Sequence, residues 1–138
     1  MGKIVAIDFG IKRTGLAVSD DLRIIASGLE TVPTAEVMDY LISYCSKEDV
    51  GILVLGQAVR MSGEMSAVEA NILEFIKVLE KKIPTVKIVR QDERFTSKLA
   101  LDAMIQGGVK KKDRRNKQKG LIDKVSATLI LQAYLDNQ

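Results

Sequence analysis

Lys3-Ile4-Val5-Ala6-Ile7-Asp8-Phe9-Gly10 decides the fold, because a near-continuous apolar run gives way to a carboxylate and then to a glycine turn. A run of this kind reads as a strand buried on both faces, inside a sheet that is covered by helices. A charge at its end is tolerated only where it reaches water, a donor or a cation. Asp8 is therefore a candidate ligand for something cationic, and equally a candidate cap for its own hairpin turn. Two further acidic stretches come much later, Gln91-Asp92-Glu93-Arg94 after another apolar run and Leu121-Ile122-Asp123 at the start of the last helix. Acids far apart in sequence, each at an element end, read as one metal-binding cluster.

Composition narrows the chemistry. With 138 residues, 46% of them hydrophobic, the chain suits one domain spanning 1–138 with a sizeable core. It has no cationic start leading into an apolar signal segment and no apolar run near the roughly 18 residues of a membrane span, so a cytoplasmic protein without membrane contact is expected. It contains no His. That removes Ser-His and Cys-His nucleophile pairs, His-ligated zinc and imidazole acid–base catalysis together. Hydrolysis would have to use carboxylates and a metal, and oxygen ligands favour hard ions such as Mg²⁺ or Mn²⁺. The single Cys45 falls on the apolar helical face Met38, Leu41, Ile42, Cys45, where a buried, inert thiol is expected.

Charge is unevenly distributed. Of 21 basic and 18 acidic residues, seven and one fall in Lys110-Lys111-Lys112-Asp113-Arg114-Arg115-Asn116-Lys117-Gln118-Lys119, which leaves 14 and 17 elsewhere. A basic arm is thus mounted on a mildly acidic body, as expected for a polyanion-binding segment or a solvated loop. The stretch 107–119 lacks apolar periodicity and is expected to be mobile without substrate.

Spacing predicts strands over Ile4–Phe9, Thr14–Ser19 and Ile24–Val32, joined by turns at Gly10–Arg13 and Asp20–Arg23 as consecutive hairpins. Pro33 and Thr34 open a helix to about Lys47, and Gly51–Leu55 is a short buried strand ending at Gly56. Ser66 with Glu69 has the spacing of a capping box before a helix that lasts until Pro84. Val86–Val89 is a fifth strand, Thr96 to about Gln106 a third helix, and Gly120–Leu135 a fourth. A meander feeding two crossovers gives an α/β fold: one mixed five-stranded sheet flanked by helices.

Each motif has a plain structural reading beside the functional one. Asp92 and Glu93 are adjacent at a strand end, so their side chains diverge and one of the two reaches a shared site; otherwise the pair forms a surface cluster with Arg94. Asp123 shares a helical face with Ala127, Ile130 and Tyr134, which points it at the sheet, although an acid in a first helical turn is also favoured by the helix dipole. Arg13 is either solvated or poised to hold a phosphate oxygen. Ser19-Asp20-Asp21 reads as a turn. Phe9 and Phe95 flank the strand-end acids and are read as core.

Laid out in this order, the chain resembles the YqgF family, also called RuvX, whose members have an RNase H-like fold. The likeness runs through Asp8-Phe9-Gly10-Ile11-Lys12-Arg13-Thr14-Gly15-Leu16-Ala17-Val18-Ser19-Asp20, then Asp92-Glu93-Arg94-Phe95-Thr96-Ser97, then Ile122-Asp123 with Ala127, Ile130, Leu131 and Leu135. By that resemblance Asp8, Glu93 and Asp123 are the catalytic carboxylates and metal ligands for one or two Mg²⁺ or Mn²⁺ ions. The family is described as nucleases that process the 5′ end of precursor 16S ribosomal RNA, and it carries an older label of Holliday junction resolvase. One departure stands out. Where the family has Gly-Leu-Pro after the fourth strand, this chain has Gly56-Gln57-Ala58, and losing the proline makes that loop less constrained.

The resulting expectation is a metal-dependent phosphodiesterase acting on structured RNA, with Lys12, Arg13, Arg94, Lys110, Lys111, Lys112, Arg114, Arg115, Lys117 and Lys119 along the nucleic-acid backbone. No second continuous apolar stripe is left to pair subunits, so a monomer or weak dimer is expected. Its rivals are cleavage of branched DNA, a non-catalytic nucleic-acid-binding module, and an ATPase of the actin and hexokinase type, for which the chain is too short to supply a second closing domain.

Overall fold

A computed structural model describes residues 2–57, 68–92 and 119–136, with backbone alone at positions 57, 92 and 119–123. In chain order the elements are β1 (Lys3–Asp8), β2 (Arg13–Ser19), β3 (Ala26–Pro33), α1 (Thr34–Lys47), β4 (Val50–Gln57), α2 (Glu69–Lys82), β5 (Lys87–Asp92) and α3 (Lys119–Asp136). The five strands form one sheet in the order β3-β2-β1-β4-β5. The β1–β2 and β2–β3 pairs are antiparallel, whereas β1–β4 and β4–β5 are parallel. β1 is central, which explains its unbroken apolar run: Ile4, Val5, Ala6 and Ile7 are all fully buried.

Strand alternation divides those side chains between two layers. Val5 and Ile7 join Leu16, Leu53 and Leu55 under α1 and α2, which contribute Val37, Leu41, Ile72 and Leu79. Ile4 and Ala6 join Ala17 and Val54 under α3, which contributes Ala127, Ile130 and Leu131. One row of the second layer is made of small residues. Ala6 pairs with Ala17 and Ala17 with Gly28, so a row of small side chains crosses three strands. Lys124 of α3 lies so close to this row that a Cβ on Gly28 would stand 2.8 Å from its Cγ. A side chain at Gly28 would have to displace the Lys124 side chain, and overpacking of this kind costs about 1–3 kcal/mol.

The expected meander and mixed sheet are present, with local differences. β3 begins at Ala26 and not at Ile24, because Ile24 and Ile25 are tied into the preceding turn by Asp20. β5 continues to Asp92, three residues beyond the apolar run that announced it. The capping box on α2 is not formed from Glu69: no side chain caps that helix, and Glu69 is ion-paired with Arg90. Lys119, expected as the end of the basic loop, opens α3. The helix expected over 96–106 and the rest of the basic arm lie outside the described residues. Among the described residues, no helix is long and apolar enough to cross a membrane.

Candidate active site

Because β1, β4 and β5 run parallel, they all end at one rim of the sheet, with Asp8, Gln57 and Asp92 as their last residues. Asp8 is half-buried there, opposite Gly15 of β2. Alternation puts it on the same face as Ile4 and Ala6, which is the face covered by α3. Asp123 is a residue of α3 one turn ahead of Ala127, whose side chain is buried in that layer. Asp8 and the helix that carries Asp123 therefore belong to one side of the sheet. Glu93 and Arg94 lie outside the described residues, as do Lys110, Lys111, Lys112, Arg114, Arg115 and Lys117. Among the described residues no cluster of three metal-ligating side chains forms.

The turn that follows Asp8 is fastened by α1. Thr34 Oγ1 donates to the Gly10 carbonyl at 2.6 Å and lies 2.9 Å from the fully buried Thr14 hydroxyl. The Thr34 backbone N–H donates to the Lys12 carbonyl at 3.0 Å, so one of the unpaired donors of the helix start is satisfied by the turn itself. Gly10 has to be glycine, since a Cβ there would collide with the Arg13 carbonyl. Lys12 and Arg13 project from this fixed turn with exposed side chains, placing two cations within five residues of Asp8. Phe9 turns to the opposite face and packs on Phe75 at a ring separation of 5.1 Å, so it serves the core. Beside it, Ile11, Met38 and Asn71 line a cavity of about 440 Å³, on the far side of the sheet from Asp8.

The rim has a second fastening that sequence reasoning missed. Arg90 of β5 donates from Nη1 to Glu69 Oε2 at 2.7 Å and from Nη2 to Glu69 Oε1 at 2.8 Å. Its Nη2 also donates to the Gly56 carbonyl at 3.0 Å, and its Nε to the Leu55 carbonyl at 3.4 Å. The available signal was an arginine directly after the apolar pair Ile88-Val89. Ser19-Asp20-Asp21, by contrast, belongs to a turn at the other rim, as expected. Cys45 is half-buried in α1, and burial pushes its thiol pKa up. It takes no part in the rim, and the acids expected there would make an all-oxygen donor set, of the kind that suits a hard divalent ion.

Comparison with known proteins agrees with the fold. The family described as "RuvX: Holliday junction resolvase" matches residues 2–137. A protein of Phocaeicola vulgatus named "Putative pre-16S rRNA nuclease" is 49% identical over 138 residues, covering 100% of this chain and 98% of its own. A protein of the same name from Christiangramia forsetii is 49% identical over 135 residues, covering 98% of each. Among solved structures, T. thermophilus RuvC in complex with a Holliday junction substrate superposes with a TM-score of 0.56 at 19% identity, covering 99% of this chain and 96% of that one. At that identity the likeness shows a shared RNase H-like fold.

Proposed function

The chain belongs to the RuvX family, and from that premise we propose that it is a metal-dependent nuclease that processes the 5′ end of pre-16S ribosomal RNA in the cytoplasm. The observation that carries this reading is near-half identity, over the whole chain, to proteins that bear that name. In this reading Asp8, Glu93 and Asp123 hold one or two Mg²⁺ or Mn²⁺ ions, which when bound activate water for in-line attack and neutralise charge on the phosphate. By the family resemblance, Glu93 and not Asp92 is the acid that joins Asp8. Lys12 and Arg13, on their fixed turn, and Arg94 with the basic segment 110–119 hold the RNA backbone. Such contacts are largely independent of sequence.

Cleavage of a four-way junction needs paired cuts, which a stable symmetric dimer supplies. The helices offer little for one: α1, α2 and α3 place their apolar residues on the sheet, and among the described helical residues only Leu73 and Val78, five positions apart on α2, are large exposed apolar side chains. They do not form a stripe. The deciding experiment incubates purified protein with a ribosomal RNA precursor carrying its 5′ flank, and with a synthetic four-way DNA junction, at matched salt and Mn²⁺. The RNA is expected to be cut more efficiently, with activity removed by EDTA and restored by Mg²⁺ or Mn²⁺. Paired symmetric cuts in the junction beside intact RNA would assign the other substrate.

A further inference from the structure

We propose that Arg90 and Glu69 are a positioning pair for the metal site, holding the strand ends at the rim so that the carboxylates there bind a divalent ion tightly. This rests on the reading of Asp8, Glu93 and Asp123 as metal ligands.

The pair is expensive and local stability does not explain it. Glu69 keeps 4% of its side chain exposed and Arg90 22%. Burying two charges costs several kcal/mol per ion, and a well-packed apolar pair of similar volume stabilises a fold as well or better. What an apolar pair could not do is reach the carbonyls of β4. Arg90 stands opposite Leu55 in the parallel ladder; its fork engages that carbonyl, continues to the next one towards the rim at Gly56, and closes on both oxygens of Glu69. One planar group with fixed donor directions thus ties the end of β4, the end of β5 and the first residue of α2. Glu69 stands at the start of its helix, where a negative charge is favoured.

These three segments are the ones that matter to the rim. Ile7 pairs with Leu55, so the end of β4 is the immediate neighbour of Asp8. Arg90 is three residues before Glu93 in sequence. The guanidinium lies in the α2 layer, on the opposite face from Asp8, so Arg90 and Glu69 touch neither metal nor substrate and act through the backbone they hold. Ligating groups need placement to within about 0.5 Å, and supporting residues of this kind commonly change metal affinity by about 10–100-fold.

The test is calorimetric titration of Mn²⁺ into the full chain, with melting temperature measured alongside. The double variant Glu69→Leu/Arg90→Met replaces the ion pair by an apolar pair and should melt near the wild-type temperature, yet bind Mn²⁺ about tenfold more weakly. Cleavage should fall at limiting Mn²⁺ and recover at excess. A double variant that folds and binds Mn²⁺ as wild type does would overturn the proposal, since a purely structural pair predicts that result. If the double variant does not fold, Glu69→Gln decides: it retains one acceptor oxygen and its shape, and should weaken Mn²⁺ by a smaller factor, whereas unchanged affinity again overturns the proposal. Asp8→Asn is the control. Unchanged Mn²⁺ binding in that variant would instead overturn the assignment of the metal site.

Discussion

Two turns flank β2, one at each rim of the sheet, and each begins at an aspartate: Asp8 is the last residue of β1, and Asp20 follows the last residue of β2. The turn after Asp20 is fastened by its own aspartate, with further ties to the start of β1. Asp20 Oδ1 accepts the backbone N–H groups of Ile24 at 2.7 Å and Ile25 at 2.9 Å, and Arg23, held at φ 58°, donates from Nε to the Gly2 carbonyl at 2.7 Å. Ser19 completes it by accepting the Ile4 N–H and donating to the Asp20 carbonyl. The turn after Asp8 is fastened from outside, by Thr34 of α1. The Asp20 carboxylate is thus committed to its own turn, whereas the turn after Asp8 takes its anchor from Thr34 of the neighbouring helix.

The widest separation between the two turns is expected in paired neutral variants. Asp8→Asn should lower cleavage by roughly 100-fold or more, the scale on which removal of one preorganised electrostatic group acts, and should leave the melting temperature intact or raised. Asp20→Asn should do the reverse, with cleavage near wild type and a lower melting temperature. Loss of cleavage in a well-folded Asp20→Asn protein would break the comparison.

The sequence separated the two aspartates by context alone, Asp8 after a buried run and Asp20 inside a turn signal; the contact that fastens the first turn comes from Thr34, 24 residues after Gly10. What was legible was the periodic part. The run from Lys3 to Ile7 announced a central strand, and the hairpins, α1 and the crossover order followed from turn residues at the right spacing. Glu69 was misread because a capping box is a local pattern, whereas its true partner Arg90 becomes a neighbour only after β5 pairs with β4. The end of β5 was hidden for a related reason: Arg90, Gln91 and Asp92 are polar and carry no strand signal of their own, yet the ladder to Leu55, Gly56 and Gln57 continues through them. At the site, Asp8 was legible as a strand-end acid and Asp123 as an acid on a sheet-facing helical stripe, while the choice of Glu93 over Asp92 rests on motif resemblance.

A smaller effect should follow from loosening the turn of Asp8 without touching the acid. Thr34→Val preserves shape but removes the hydroxyl that bonds Gly10 and meets Thr14, about 1 kcal/mol for each hydrogen bond. The backbone bond to Lys12 remains, so RNA binding should weaken by no more than about tenfold. Lys12 and Arg13 would be held less firmly, and the dependence of log affinity on log salt should flatten correspondingly. Thr34→Ser restores the donor and should recover most of the affinity. Loss in Thr34→Ser with none in Thr34→Val would show that the methyl packing, not the hydroxyl, fixes the turn.

The smallest effect concerns acid. The N–H groups of Ile25 and then Ile24 hold the Asp20 carboxyl below the usual carboxylate range, because they stabilise its charged form. A folded-state pKa below the unfolded value means that the unfolded chain binds the proton more readily. The stabilisation is therefore complete above the ordinary carboxylate pKa of about 3.9, and disappears as pH falls through the lowered folded value. The amide introduced by Asp20→Asn cannot titrate, so the difference in melting temperature between wild type and that variant should be largest at about pH 6 and shrink steadily towards about pH 2. A difference that persists undiminished at the acid end would mean that the charge of Asp20 contributes nothing to the turn.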